Sequence, residues 1–322
     1  MLAWFQSSRE VAFLLTVAGA ATMALTNRYF ATASNFDSLQ TILAVNGMIA
    51  LGMMVLLIAG FFDLSVGSNM GLAGIVCAML LHAHLPIPLA VAAAVLFGAT
   101  FGLVNGVLVA IVGINPLVAT LGTMFVGRGI IETIATTQTL TGFTGFPKSF
   151  TDLGNAKAGG LYFMLWIFLA IAIVTHVALN RFAWGRQFFF LGSNPNAAHS
   201  FGFSTRRIIS VAYALAGALA ASAGVLTVAR AETANRYLGA GIELEIIVAC
   251  LIGGASTSGG RGSVAGAIVG TMLMALIRNS FVLYELDTQW QSVILGAVLI
   301  GAVVWEAAIS LARNRANPNE VM

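Results

Sequence analysis

Hydrophobic residues along this chain fall in blocks of about twenty, divided by short polar or glycine-rich breaks. Inside each block the apolar positions are continuous and do not alternate. A run of that length is what an α-helix needs to cross the hydrocarbon of a bilayer, and a β-barrel would show a period of two. The pattern predicts helices at about 11–26, 39–60, 65–82, 88–111, 116–136, 161–180, 208–229, from Glu243 to a break at GGASTSGGRGS, 264–282 and 289–311. The expected fold class is an all-α polytopic membrane protein of about ten transmembrane helices, forming one domain over residues 1–322. Arg9 followed by an Ala- and Gly-rich run has the form of a signal peptide. Every later block is also a span, so it is read as an uncleaved first helix.

The breaks carry as much information as the blocks. Asn27 to Ser38 (NRYFATASNFDS) is polar and suits a short interfacial helix. GFFDLSVGS interrupts the second and third helices, and GGASTSGGRGS the eighth and ninth. LGMMVLLIAGFFDLSVGSNMGLAGIV and IIVACLIGGASTSGGRGSVAGAIVG share one plan: apolar helix, glycine-rich break, small-residue helix. Broken or re-entrant helices at matching places in two halves often mark a transport pathway. Composition alone can produce the same echo, so a true repeat stays open. Residues 137–160 form the longest polar, glycine-rich connection outside the stretch 181–207, and the tail 312–322 is polar.

Composition moves the protein into lipid. Hydrophobic residues make up 59% and charged residues 8% of the chain, and mean hydropathy is +0.93. Ordinary soluble domains carry about 25% charge. The net charge of +3 reflects arginines in separate loops, so no nucleic-acid partner is implied. Ten spans put both termini on one side. With the termini cytoplasmic, that face holds Arg9, Arg181, Arg186, Arg206, Arg207, Arg261, Arg313 and Arg315, against Arg28, Lys148, Lys157, Arg230 and Arg236 outside. Positive residues favour the cytoplasmic side. Residues 181–207 hold four arginines and no acid. Their bland reading is positive-inside anchoring. Their sharper one is a short amphipathic helix in NPNAAHSFGFSTRR laid against a soluble partner. Cys77 and Cys250 lie in apolar blocks and read as small buried hydrophobes.

Enzyme chemistry finds no footing. The phosphate-binding pattern GxxxxGK[ST] is missing, and His82 with His84 reads as a surface loop. Ionisable residues near spans are costly and need partners. Asp63 is expected to cap the third helix with Ser65, its alternative role being an ion site. Arg128 and Glu132 stand four apart on one helix face and are expected to pair. Glu243 and Glu245 suit the positive end of the eighth helix, and Arg278 is expected to snorkel outward. Asn46, Asp63, Ser65, Asn105, Thr120, Thr123, Ser256, Thr257, Ser258 and Asn279, with Asn69 and Gln291, are candidates to line a path for a polyhydroxylated solute. Interhelical hydrogen bonding is the alternative for each.

FDLSVGS (62–68), GLVNGVLVA (102–110), NPLVATLGTM with Arg128 and Gly129 (115–124, 128–129), GRQFFFLGSNPNAAHSFGFSTRRI (185–208) and GIELEIIVACLIGGASTSGGRGSVAG (241–266) resemble the membrane permease subunits of ribose-type ABC sugar importers. The order and spacing match along nearly the whole chain. The resemblance implies a multi-pass bacterial inner-membrane permease that is not itself an enzyme and binds no cofactor. It implies a cytoplasmic ABC ATPase carrying ATP and Mg, a periplasmic solute-binding protein, and a second permease chain, identical or sister. The loop matching 194–206 would couple to the ATPase, with Asn194, Ala197, Ala198, Gly202, Arg206 and Arg207 as contacts. Phe61, Phe62, His199, Phe203 and Arg278 depart from the usual pattern. GFPKSFTDLGN (145–155) resembles a segment of the autoinducer-2 permeases of the same group. The rival functions are an ion-coupled secondary transporter using Asp63 or Glu132, a membrane scaffold, and an ABC permease for autoinducer-2, a nucleoside or an amino acid.

Overall fold

The computed structural model describes residues 3–137, 142–287, 289–298, 300–301 and 304. Long apolar segments become helices because only a helix pairs all its backbone polar groups within itself in lipid. The helices are α1 (Ala3–Thr26), α2 (Ala33–Ala59), α3 (Val66–His82), α4 (Ile87–Val107), α5 (Pro116–Thr137), α6 (Lys148–Asn155), α7 (Phe163–Arg181), α8 (Ala183–Ser193), α9 (Pro195–Ser200), α10 (Thr205–Ala231), α11 (Ile242–Ile252) and α12 (Val264–Leu283). Residues 289–298 form α13. A π-helical turn, Leu108–Val112, prolongs α4 until Gly113 stops it at φ +83. Among the described residues seven helices are long and apolar enough to span a membrane, namely α1, α2, α4 with its π turn, α5, α7, α10 and α12. The 17-residue α3 falls just short of that length. Ten of the 23 residues of the tenth expected helix (299, 302, 303 and 305–311) and all of the tail 312–322 lie outside the described residues.

The bundle is built around α2. In its apolar window 89% of residues are buried, against 17% in α1 and 28% in α7. The outer helices instead expose large apolar side chains, such as Leu14 at 65%, Leu96 at 68% and Val174 at 67%. Water would forbid that surface, and lipid accepts it. Small residues bring the inner helices close. A Cβ on Gly102 would lie 2.2 Å from the Tyr213 carbonyl oxygen, so α4 and α10 meet backbone to backbone. The buried Asn69 Nδ2 donates to the carbonyls of Gly98 (3.0 Å) and Gly217 (3.3 Å), tying α3 to α4 and α10.

One end of the bundle carries a cap where the sequence suggests only a connection. Strand β1 (Phe143–Thr144) pairs antiparallel with β4 (Thr233–Ala234), and β2 (Lys157–Ala158) with β3 (Leu161–Tyr162). Helix α6 lies between them with Phe150 fully buried. Lys157 Nζ donates to both carboxylate oxygens of Asp37 at 2.7 Å. That bond holds the Lys157 ammonium above the usual lysine pKa. Helices α8 and α9 occupy the opposite end.

Several expectations are corrected. Asn27–Ser38 is not a separate interfacial helix. Residues 28–32 turn, and α2 starts at Ala33 with Thr32 as its cap, so the polar stretch extends the span. Arg128 does not pair with Glu132. It donates to the carbonyls of Leu238 (2.9 Å) and Gly239, and Glu132 faces Arg236 at 4.0 Å. Asp63 does not cap α3 directly. Its Oδ1 accepts from Ser65 N (2.7 Å) and Ser65 Oγ (2.6 Å), a local turn that precedes the helix. Arg278 does more than snorkel, since its Nη1 stands 3.5 Å from Glu245 Oε2. Cys77 and Cys250 are free and buried, as expected.

Candidate functional site

The four arginines of 181–207 are exposed together at the α9 end. Helix α8 folds back on α7 because Gly185 has no side chain: a Cβ there would meet the Ala178 carbonyl at 2.0 Å. Asn194 then ends α8 and caps α9, its Oδ1 accepting from Ala197 N at 3.0 Å. Pro195 occupies the first turn, where its missing N–H costs nothing. Gly202 closes the element at φ +80. Of the residues expected to meet a partner, Asn194, Gly202, Arg206 and Arg207 are exposed and Ala197 is half-buried. Ala198 is only 2% exposed, so its methyl seats α9 on the bundle and presents no surface. Phe201, 79% exposed, was not singled out from sequence. The available signal was a phenylalanine between Ser200 and Gly202, in the polar part of the basic loop.

Directly behind α9 the two helix breaks converge. Gly60, at φ +88, ends α2, and its N–H bonds the carbonyls of Leu56 and Leu57. Gly259 and Gly260 turn the α11–α12 break at φ +84 and +74. Gly260 N donates to Ile58 O at 2.8 Å. Gly192, at the end of α8, fits between them: a Cβ would lie 2.0 Å from Ile58 O and 2.4 Å from Gly260 N. Three elements thus touch through bare backbone. A cavity of about 490 Å³ opens beside this node, lined in part by Gly60, Phe61, Ser193, Asn196, His199 and Ser258.

A second polar group sits deeper. Asn105 Nδ2, from α4, donates to Ser65 Oγ at 2.8 Å and reaches both Asp63 carboxylate oxygens at 3.4 Å. Thr123 Oγ1, from α5, donates to Asn105 Oδ1 at 2.7 Å. Thr120 turns back on Pro116 O at 2.8 Å. Asp63, Ser65, Asn105 and Thr120 are all 0% exposed. These candidate path residues line neither cavity; they lock the α2–α3 break to α4 and α5. Asn279 Nδ2 donates to Asn35 Oδ1 at 2.6 Å, tying α12 to α2. Ser256 bonds within its own break, accepting from Ser258 N at 3.2 Å.

Toward the capped end, residues 235–241 leave β4 and dip inward until Leu238 and Gly239 lie against α3. A Cβ on Gly67 would stand 2.4 Å from Gly239 O, and one on Gly71 2.6 Å from Leu238 O. Arg128 clamps the same two carbonyls. Helix α11 therefore begins inside the bundle. Its 11 residues cover about 16 Å, roughly half a bilayer. Beside its first turn lies a cavity of about 590 Å³. Glu245 and Arg278 line it, with Asn235, Tyr237 and Gln291. Asn46 Nδ2 supports Glu245 from behind, 3.0 Å from Oε1. Gln291 is the one sequence candidate that lines this cavity, and Asn46 reaches it through Glu245.

Among the described residues no group of three or more His, Cys, Asp or Glu is placed to hold a metal ion. Comparisons with known proteins agree with the architecture. Residues 35–303 match the family described as branched-chain amino acid transport system / permease component. The autoinducer 2 import system permease protein LsrD of Salmonella typhimurium strain LT2 is 32% identical over 272 residues, 84% of this chain and 82% of that protein. LsrD of Escherichia coli O9:H4 strain HS is 33% identical over the same coverage. No solved structure matches the chain. With spanning helices, a basic exposed elbow and most of its length inside the family match, the chain belongs to this family of transport-system permease components and is the inner-membrane permease subunit of an ABC importer.

Proposed function

We propose that the chain forms half of a channel for a small, neutral, sugar-like solute. A separate ATPase grips α8, α9 and the start of α10 on the cytoplasmic side, and a solute-binding protein delivers at the capped end. The second half is another permease chain of the same kind, and ATP and Mg reside on the ATPase. Both termini are then cytoplasmic.

The observation that carries this reading is the glycine node. Gly192, Gly60 and Gly260 join the exposed elbow to both broken helices with no side chain between them. A partner that binds one position of α9 more tightly than another biases both breaks at once, and only such differential binding can drive alternating access. The autoinducer-2 importers among the relatives make that solute the first to test.

The decisive experiment reconstitutes the chain with its ATPase and binding protein in proteoliposomes. ATP-dependent uptake of a neutral sugar-like solute is expected, and the chain alone is expected to be inactive under a proton gradient. Uptake by the chain alone, driven by that gradient, would establish the secondary-transporter reading instead.

A further inference from the structure

Resting on that reading, we infer that the cavity at the start of α11 is a solute-holding station inside the permease, built for a neutral polyhydroxylated molecule of monosaccharide size. Its volume of about 590 Å³ falls within the range of small-molecule sites. It is also chemically composite. Glu245 brings a carboxylate whose side chain is only 14% exposed, and Arg278 brings a guanidinium 51% exposed. They stand 3.5 Å apart, a loose pairing that leaves other donors and acceptors unspent.

Charge decides the class of ligand. The two groups neutralise each other, so a charged solute would compete with one of them and leave the other without its partner, a cost that falls hardest on the Glu245 carboxylate, only 14% exposed. A neutral polyol demands no such change. Its hydroxyls can donate to the carboxylate and accept from the guanidinium at once, and bonds to charged groups are the strong ones. Met274 and Ile277 supply an apolar wall for the C–H face of a ring, and Tyr237 stands at the rim, 69% exposed. Asn46 holds Glu245 Oε1 at 3.0 Å, which fixes the acceptor in place.

The station is also tied to the moving parts. Glu245 belongs to α11, which ends in the break that touches Gly192. Arg278 belongs to α12, on the other side of that break. A shift of the two helices relative to each other would change the separation of the pair, and so the grip on a hydroxyl between them.

The test uses the full chain with Ser292, a cavity-lining residue on α13, replaced by cysteine. The native Cys77 and Cys250 are buried and do not compete for a polar thiol reagent. Labelling of Ser292→Cys in the assembled importer is measured with D-ribose, autoinducer-2 or D-glucuronate present. At least one neutral probe is expected to slow labelling several-fold, and the anionic glucuronate is not. Adding Glu245→Gln or Arg278→Gln to the same background should raise the protecting concentration about tenfold or more. Unprotected labelling at a concentration that saturates ATP-driven uptake of the same probe would overturn the station and leave the proposed function standing. Protection by glucuronate equal to that by the neutral probes would overturn the assigned ligand class. Loss of ATP-driven uptake in the unmodified importer would instead remove the proposed function itself.

Discussion

The Cα of Gly192 faces the carbonyl oxygen of Ile58 so closely that a single added carbon would stand 2.0 Å away. Backbone on both sides leaves no flexible side chain to yield. Gly192→Val is therefore expected to force α8 away from the end of α2, at a cost of about 1–3 kcal/mol, as overpacked contacts usually show. ATP hydrolysis by the assembled importer should continue while uptake falls at least tenfold. Parallel assays of hydrolysis and transport check this; uptake at the unmodified level would remove the node from the mechanism.

The elbow itself should fail differently. Gly202 sits in open space at φ +80. Gly202→Asp adds backbone strain of about 1–2 kcal/mol and a negative charge, with no steric clash. Insertion should survive and transport should not. Arg206→Glu with Arg207→Glu, and Phe201→Ser separately, should weaken ATPase binding without lowering the amount of protein in the membrane. Copurification of the ATPase reads the result. His199→Cys should be labelled from the cytoplasmic side only; labelling from the outside would invert the topology.

Asp63 separates an ATP-driven importer from an ion-coupled one. Its carboxylate accepts from Ser65 and Asn105 in a fully buried site. Asp63→Leu leaves those donors unpaired, at about 1–3 kcal/mol each, and should lower the detergent melting temperature by several degrees. Asp63→Asn keeps a carbonyl acceptor and should lose less stability. Its ATP-driven uptake should persist within a few-fold. Complete loss of uptake with an unchanged melting temperature would point to a proton or cation role instead.

Arg128 makes a third kind of claim. Charge-assisted bonds to the carbonyls of Leu238 and Gly239 pin the inward dip of residues 235–241. Each is worth about 1.5–3 kcal/mol. Arg128→Leu is expected to raise hydrogen exchange selectively over 237–242, with α10 unchanged. Exchange that rises evenly along the chain would show a general loss of packing.

What the sequence disclosed follows the range of each signal. GFFDLSVGS and GGASTSGGRGS announced both helix breaks because glycine runs punctuate a helix locally. The basic loop likewise pointed to the short helix α9, though Asn194 as its cap appeared only with the fold. Long-range partners were illegible. Arg128 and Glu132 satisfied a local four-residue rule, yet Arg128 bonds a carbonyl 110 positions away. Nothing in GAGIELE distinguishes a helix that starts at the membrane surface from one that starts within. The Glu245–Arg278 pair and its cavity depend on that depth, so they emerged only with the fold. Most of the polar residues proposed as a path make hydrogen bonds between helices here, while Ser258 and Gln291 line cavities, a difference that residue type alone does not reveal.

The helix that reads as most at home in lipid scarcely meets any. Helix α2 has the highest mean hydropathy of the spans, 2.4, and is also the most enclosed. Apolar length is what carries a segment into the bilayer, and the final surroundings of this one are other helices. A chain cut before α7 and α10 would leave this central post bathed in acyl tails it was never shaped to face. Single methylene changes along it should register as misfit between neighbours, while the same changes on the lipid side of α1 or α7 pass unnoticed.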